Sequence, residues 1–162
     1  MVQITSIYDL LSLIVIFADL YLIYKLDIIA IIGNMLALII HGIIKIFTTN
    51  LKPYSIFKRP NGAKNCGIVN SGGLSDHESG FPSGHMSSIS FTMLYLLIKT
   101  NNFNFTNIIL YNIPIILVGI ARYFKPCHNF IQIIAGYILG SSIALLFTCK
   151  KFIKNITPYL HV

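Results

Sequence analysis

The chain has 162 residues, of which 55% are hydrophobic and 10% charged, and 12 Lys and Arg stand against five Asp and Glu for a net charge of +7. With a mean hydropathy of +0.74, this balance excludes an ordinary soluble domain and places the chain in a bilayer. The cations form no continuous tract and carry no zinc-finger or basic-helix pattern, which excludes nucleic acid in favour of anionic lipid.

A span needs about 20 apolar residues at about 1.5 Å each to cross about 30 Å of hydrocarbon. Five runs qualify, at residues 10–24, 28–47, 86–98, 108–121 and 130–147, the third and fourth being short. The first lacks a preceding basic stretch and contains Asp19, so it reads as a span and not as a removable signal peptide. The predicted fold is therefore all-α, an integral, multi-pass bundle of about five transmembrane helices. It forms a single membrane domain over residues 1–162, with its functional core at about 48–140.

Asp19 lies inside the first span, and counting from the hairpin at residues 25–27 sets Asn34 of the second span at a similar depth, so a hydrogen bond between them is expected. His41 and Lys45 share a face of the second span near its end. They border a headgroup pocket, or Lys45 simply snorkels.

Residues 48–81 form the one long polar segment, rich in Gly, Asn, Ser and Lys. A loop of that length is functional or disordered, and Lys52, Lys58 and Arg59 near its start favour function. Lys52 and Arg59 read as Lys-x6-Arg-Pro at the membrane surface, a pair for lipid headgroups or for one phosphate, where Arg makes the forked contact and Lys acts as a point charge. Asp76, His77 and Glu78 are consecutive, with no second His nearby, and are a weak metal signal.

The loop ends in Phe81-Pro82-Ser83-Gly84-His85, at the mouth of the third span. Ser83 is a good N-cap, Gly84 permits close backbone approach, and the free N–H groups of a new helix favour an anion. The same residues also suit an ordinary helix start. Beyond the fourth span comes Ala121-Arg122-x5-His128-x3-Gln132, which puts His128 and Gln132 on one helical face. If all five runs cross, the long loop and the 122–127 turn lie on the same side of the membrane. Cysteines 66, 127 and 149 are odd in number and form no C-x-x-C pair, so no disulfide framework and no cysteine metal site is expected.

Together, Lys52-x6-Arg59-Pro60, Pro82-Ser83-Gly84-His85 and Arg122-x5-His128 resemble, in order and spacing, the signature of the type 2 phosphatidic acid phosphatase superfamily. The likeness covers Lys52 to about Gly140. Ala121 and Gln132 depart from the family's usual Ser and Asp, and the His-x3-Gln form is similar to the dolichyldiphosphatase branch. That branch tends to have Ser where Gly84 stands, and many six-helix members have three spans before the first motif where this chain has two.

The resemblance implies a membrane phosphohydrolase acting on a lipid phosphate or polyprenyl diphosphate, without cofactor or metal. It implies His128 as the nucleophile that forms a phosphohistidine and His85 as the acid for the leaving oxygen. Lys52, Arg59, Ser83, Gly84 and Arg122 would then hold the phosphoryl oxygens, and Gln132 would accept the His128 ring N–H and orient it. Its rivals are an inactive relative that binds lipid phosphate headgroups and a structural membrane protein. Lipid tail, orientation, host membrane and oligomeric state are not encoded in these spacings.

Overall fold

The computed structural model describes residues 6–51, 56–67 and 71–160, with side chains as far as Cys149. The elements are α1 (Ile7–Ser12), α2 (Ile14–Tyr24), α3 (Ile28–Thr49), α4 (Gly84–Thr100), α5 (Phe105–Phe124) and α6 (Phe130–Leu160), and no strand occurs among the described residues. The five expected runs are thus five helical rods. The first is interrupted at Leu13, which keeps helical dihedrals (φ −72°, ψ −13°) but sends its N–H to the Leu10 and Leu11 carbonyls. It also starts earlier than expected, because Ser6 and Asp9 form a reciprocal capping box.

Four stretches, Ile7–Tyr24, Ile28–Thr49, Phe105–Phe124 and Phe130–Cys149, are long and apolar enough to cross a membrane. α4, with 17 residues, is shorter, and it is the rod the others surround: it packs against α2, α3, α5 and, most extensively, α6. The outer faces carry Phe17, Ile32, Phe47 and Leu146, each more than half exposed. Large side chains pointing outward from every peripheral rod fit a surface wetted by lipid.

Without a strong hydrophobic drive between helices in lipid, small residues and polar bridges set the packing. Gly136 and Gly140 of α6 lie one turn apart against the α4 backbone. A Cβ on either would fall within 3.0 Å of the Ser83 or Ser87 carbonyl oxygen. In the interior, Asp19 of α2 accepts from Asn34 Nδ2 at 2.7 Å, as the depth count predicts, and from Ser88 Oγ at 3.0 Å. At one end of the bundle Asp27 caps α3 through the Ala30 N–H, accepts from the Tyr95 hydroxyl at 3.1 Å and pairs with Lys99. Burial pushes the Asp27 carboxyl up, but the Lys99, Ala30 and Tyr95 bonds outweigh it and hold it below its ordinary value.

The other end carries the long loop. It folds back on itself through antiparallel bridges Lys58 with Ser79 and Lys64 with Leu74. Gly80 N donates to Phe57 O at 2.9 Å, and the Thr48 and Ser79 hydroxyls meet at 2.8 Å over the end of α3. This polar segment is a built cover on one face of the bundle.

The α4–α6 contact makes a contrast between two glycines. Gly140→Ala places a methyl against backbone that only helix separation can relieve, and should cost about 1–3 kcal/mol. Gly42→Ala, in a helix where nothing stands within 4 Å of the new carbon, should be neutral or stabilise by up to about 1 kcal/mol. Thermal unfolding of both variants in detergent checks the order.

Candidate active site

At the start of α4, Ser83 has the extended dihedrals of an N-cap (φ −79°, ψ 117°), yet its side chain makes no capping bond. Its backbone N–H donates to the Gln132 carbonyl at 3.0 Å, and its fully buried hydroxyl has no partner among the described residues. Gly84 permits a close approach: a Cβ there would stand 2.9 Å from Cε1 of His41. The ring of His41 therefore occupies the place a side chain at 84 would need. His85 is buried at the next position.

Arg59, in the loop, is buried and donates through Nη1 to the Cys127 carbonyl at 3.0 Å. Arg122, in α5, is wholly enclosed and donates to the Cys66 carbonyl at 2.7 Å and to Ser12 Oγ at 3.4 Å. The Nε of each is buried without an acceptor among the described residues. Cys66 and Cys127 are joined by a disulfide, and Cys149 is free and exposed. The expectation of no disulfide is thereby corrected. The two cysteines are 61 residues apart, and the back-folding of the loop, which no local spacing reveals, brings them together. Lys52 lies outside the described residues.

His128 is buried in the turn before α6, with Nδ1 2.8 Å from the Gly80 carbonyl. A carbonyl only accepts, so Nδ1 carries the proton and Nε2 keeps its lone pair. This overturns the part expected of Gln132. Its amide makes three bonds, none of them to His128: Oε1 accepts from Asn129 N at 3.1 Å, and Nε2 donates to Ile56 O at 3.0 Å and Lys58 O at 2.9 Å. Asn129 Oδ1 in turn accepts from Gln132 N at 3.0 Å, which makes Asn129-x-x-Gln132 a capping box for α6. Two donors and one acceptor are needed there, and an Asp has no N–H to offer.

A cavity of about 440 Å³ opens at this end, walled by Arg59, Gly84, His85 and His128 together with His41, Lys45, Glu78 and Cys66, and it runs inward to Val15, Asp19, Leu38 and Ser88. Ser83 and Arg122 stand behind the wall. Burial, reinforced by the charges of Arg122, Arg59 and His85, holds His128 well below its ordinary pKa, so it is neutral near pH 7. Burial also lowers Arg59, while the Glu78 carboxylate partly restores it. Glu78 is held below its ordinary value first by its hydrogen bond from Lys45, at 2.7 Å. The result is a neutral nucleophilic nitrogen and a second histidine in a cationic chamber, an arrangement suited to attack on an anionic, oxygen-rich group.

Gly80 and the disulfide were not foreseen as parts of this site, whereas His41 and Lys45 line its cavity, as one reading of their shared helical face expects. The Asn129–Gln132 capping box and the Gly136-x3-Gly140 spacing were both visible in the sequence; the acceptors contributed by Gly80, Ile56 and Lys58 are backbone atoms and leave no mark on it.

Since each orphaned buried acceptor costs about 1–3 kcal/mol, Gln132→Ala should destabilise the protein by several kcal/mol. Gln132→Glu should do more harm, because a carboxylate would face the Ile56 and Lys58 carbonyls. Chemical or thermal unfolding ranks the two, and a Gln132→Glu protein as stable as the parent would contradict this geometry.

The PAP2 superfamily model matches residues 27–156, which takes in every residue of the cavity wall except Val15 and Asp19. Neither a curated protein nor a solved structure matches the chain. With four spanning-length helices and motifs that converge on one face, the chain is a multi-pass membrane protein of phosphatase type and belongs to the PAP2 superfamily.

Proposed function

We propose that this protein removes phosphate from a lipid phosphate or polyprenyl diphosphate through a phosphohistidine at His128. The observation that carries the reading is the Gly80 carbonyl on His128 Nδ1, which leaves Nε2 as an uncharged nucleophile facing the same cavity as His85 and Arg59. The apolar inner lining at Val15 and Leu38 suits the start of a lipid tail, and the His-x3-Gln form of the third motif supports a polyprenyl one.

In the first step the Nε2 lone pair bonds to phosphorus as the bond to the leaving oxygen breaks, and His85 gives that oxygen its proton. The imidazolium charge that this puts on His128 is shared with the Gly80 carbonyl and offset by the phosphoryl group. In the second step His85 takes a proton from water, the hydroxide bonds to phosphorus, and the P–N bond breaks to release phosphate and neutral His128. Arg59, Arg122, Lys52, Ser83 and the N–H groups opening α4 neutralise the equatorial oxygens, which is the main source of stabilisation in phosphoryl transfer. The orphaned Nε of Arg59, which lines the cavity, is a donor that such an oxygen would satisfy.

Purified protein in detergent should hydrolyse at least one of phosphatidate, dolichyl diphosphate and undecaprenyl diphosphate with EDTA present. Vanadate, which mimics the five-coordinate phosphoryl group, should inhibit it. His128→Ala should abolish turnover. A parent that binds these lipids and never turns over would make the chain a headgroup-binding relative, and activity lost to EDTA and restored by a divalent ion would point to a metal-dependent hydrolase.

The pH profile provides a further check. Because the folded pKa of His128 lies below its ordinary 6.5, kcat/KM should hold through neutrality and fall only in acid, as His128 becomes protonated. Arg59→Gln removes a charge that lowers this pKa, so the acid limb should move to higher pH, along with a fall in kcat/KM of about tenfold or more. Stability follows the same sign. The unfolded chain binds the His128 proton more readily, so stability is complete above about pH 6.5 and declines as pH falls, with a slope that His128→Asn should flatten.

A further inference from the structure

The structure assigns to the Cys66–Cys127 disulfide the positioning of both Arg59 and Arg122. The contacts are crossed. Arg59, from the loop, donates to the carbonyl of Cys127 in the turn, and Arg122, at the end of α5, donates to the carbonyl of Cys66 in the loop. One covalent bond therefore fixes, relative to each other, the two oxygens that aim the two guanidinium groups.

The same bond reaches the nucleophile. His128 follows Cys127 in sequence, and both their N–H groups donate to the Arg122 carbonyl at 3.2 Å. Cys127 is fully buried, Cys66 nearly so, and with Ala63 they form the small core under the loop. A site of this kind stabilises a transition state in proportion to how little its donors must reorganise, and a long arginine side chain freed from its acceptor regains rotamer freedom. Cys66 and Cys127 are thus positioning residues for anion binding.

A dithiol acting on the oxidised protein would be consumed in balance: its two sulfurs close into a disulfide as the Cys66–Cys127 bond opens to two thiols.

The role of the disulfide in anion binding rests on the proposed function, and the experiment separates the two. The full-length protein in detergent is compared oxidised, reduced by dithiothreitol, reoxidised, and as the double variant Cys66→Ser, Cys127→Ser, below the temperature at which helix content falls. The Kd for inorganic phosphate and the KM and kcat for hydrolysis are measured in each state. Reduction should raise Kd and KM about tenfold, reoxidation should restore them, and dithiothreitol should leave the double variant unchanged. Equal Kd and KM in the oxidised and fully reduced folded protein would overturn the positioning role. An oxidised parent that neither binds phosphate nor hydrolyses lipid would remove both the proposed function and this role.

Discussion

The close contact between α4 and α6 is the constraint on which the site depends. Gly136 and Gly140 let the α6 backbone lie directly on the Ser83 and Ser87 carbonyls, and the Ser83 N–H then reaches the Gln132 carbonyl. Because α4 begins at Gly84 and α6 at Phe130, this contact sets side by side the two helix starts that carry His85 and His128. Bulkier residues would still bury apolar surface, but in lipid that surface has little to gain from association, and close approach is what the glycines add. The shortness of α4 is explained in the same terms. Enclosed by α2, α3, α5 and α6, it needs no lipid-matched length of its own.

Above this pair the loop is held by bonds that converge on residues of the third motif. Gln132 grips Ile56 and Lys58, His128 grips Gly80, and Cys127 is bound to Cys66. Motif one and motif three are therefore coupled through backbone contacts. Gln132 does not touch the His128 ring: it fixes the start of α6 and the course of the loop, while the Gly80 carbonyl sets the His128 tautomer. An Asp-to-Gln exchange at this position leaves the His128 ring contact untouched, because its acceptor is the Gly80 carbonyl.

What was legible in the sequence was whatever local spacing encodes. The five rods follow from apolar run length, the Asp19–Asn34 bond from a count of helical rise, and the sharing of one cavity by Arg59, Gly84, His85 and His128 from motif order and span parity. Contacts that join residues distant in the chain through backbone atoms were not legible. An amide at Gln132 looks like a partner for the histidine four residues earlier until the loop is seen lying across it. Cys66 and Cys127 look unpaired because pairing depends on how 61 intervening residues fold. The break at Leu13 escaped for another reason, since the Leu-Ser-Leu-Ile run around it has no proline or glycine to announce it.

The chamber is electrostatically incomplete as it stands. Arg59, Arg122 and Lys45 meet Glu78 and the Asp9–Lys125 pair, and the surplus is positive. Such a surplus costs stability where it is buried, and it adds to the burial that keeps His128 neutral. In the proposed reaction, an arriving phosphate dianion would reverse both effects at once, offsetting the arginines and making a positive His128 tolerable as the P–N bond forms. The crowding of His41 onto Gly84 fits the same logic. A side chain at 84 would fill the chamber from below, whereas a glycine lets an imidazole from α3 form part of the wall and leaves the N–H groups at the start of α4 open to oxygen.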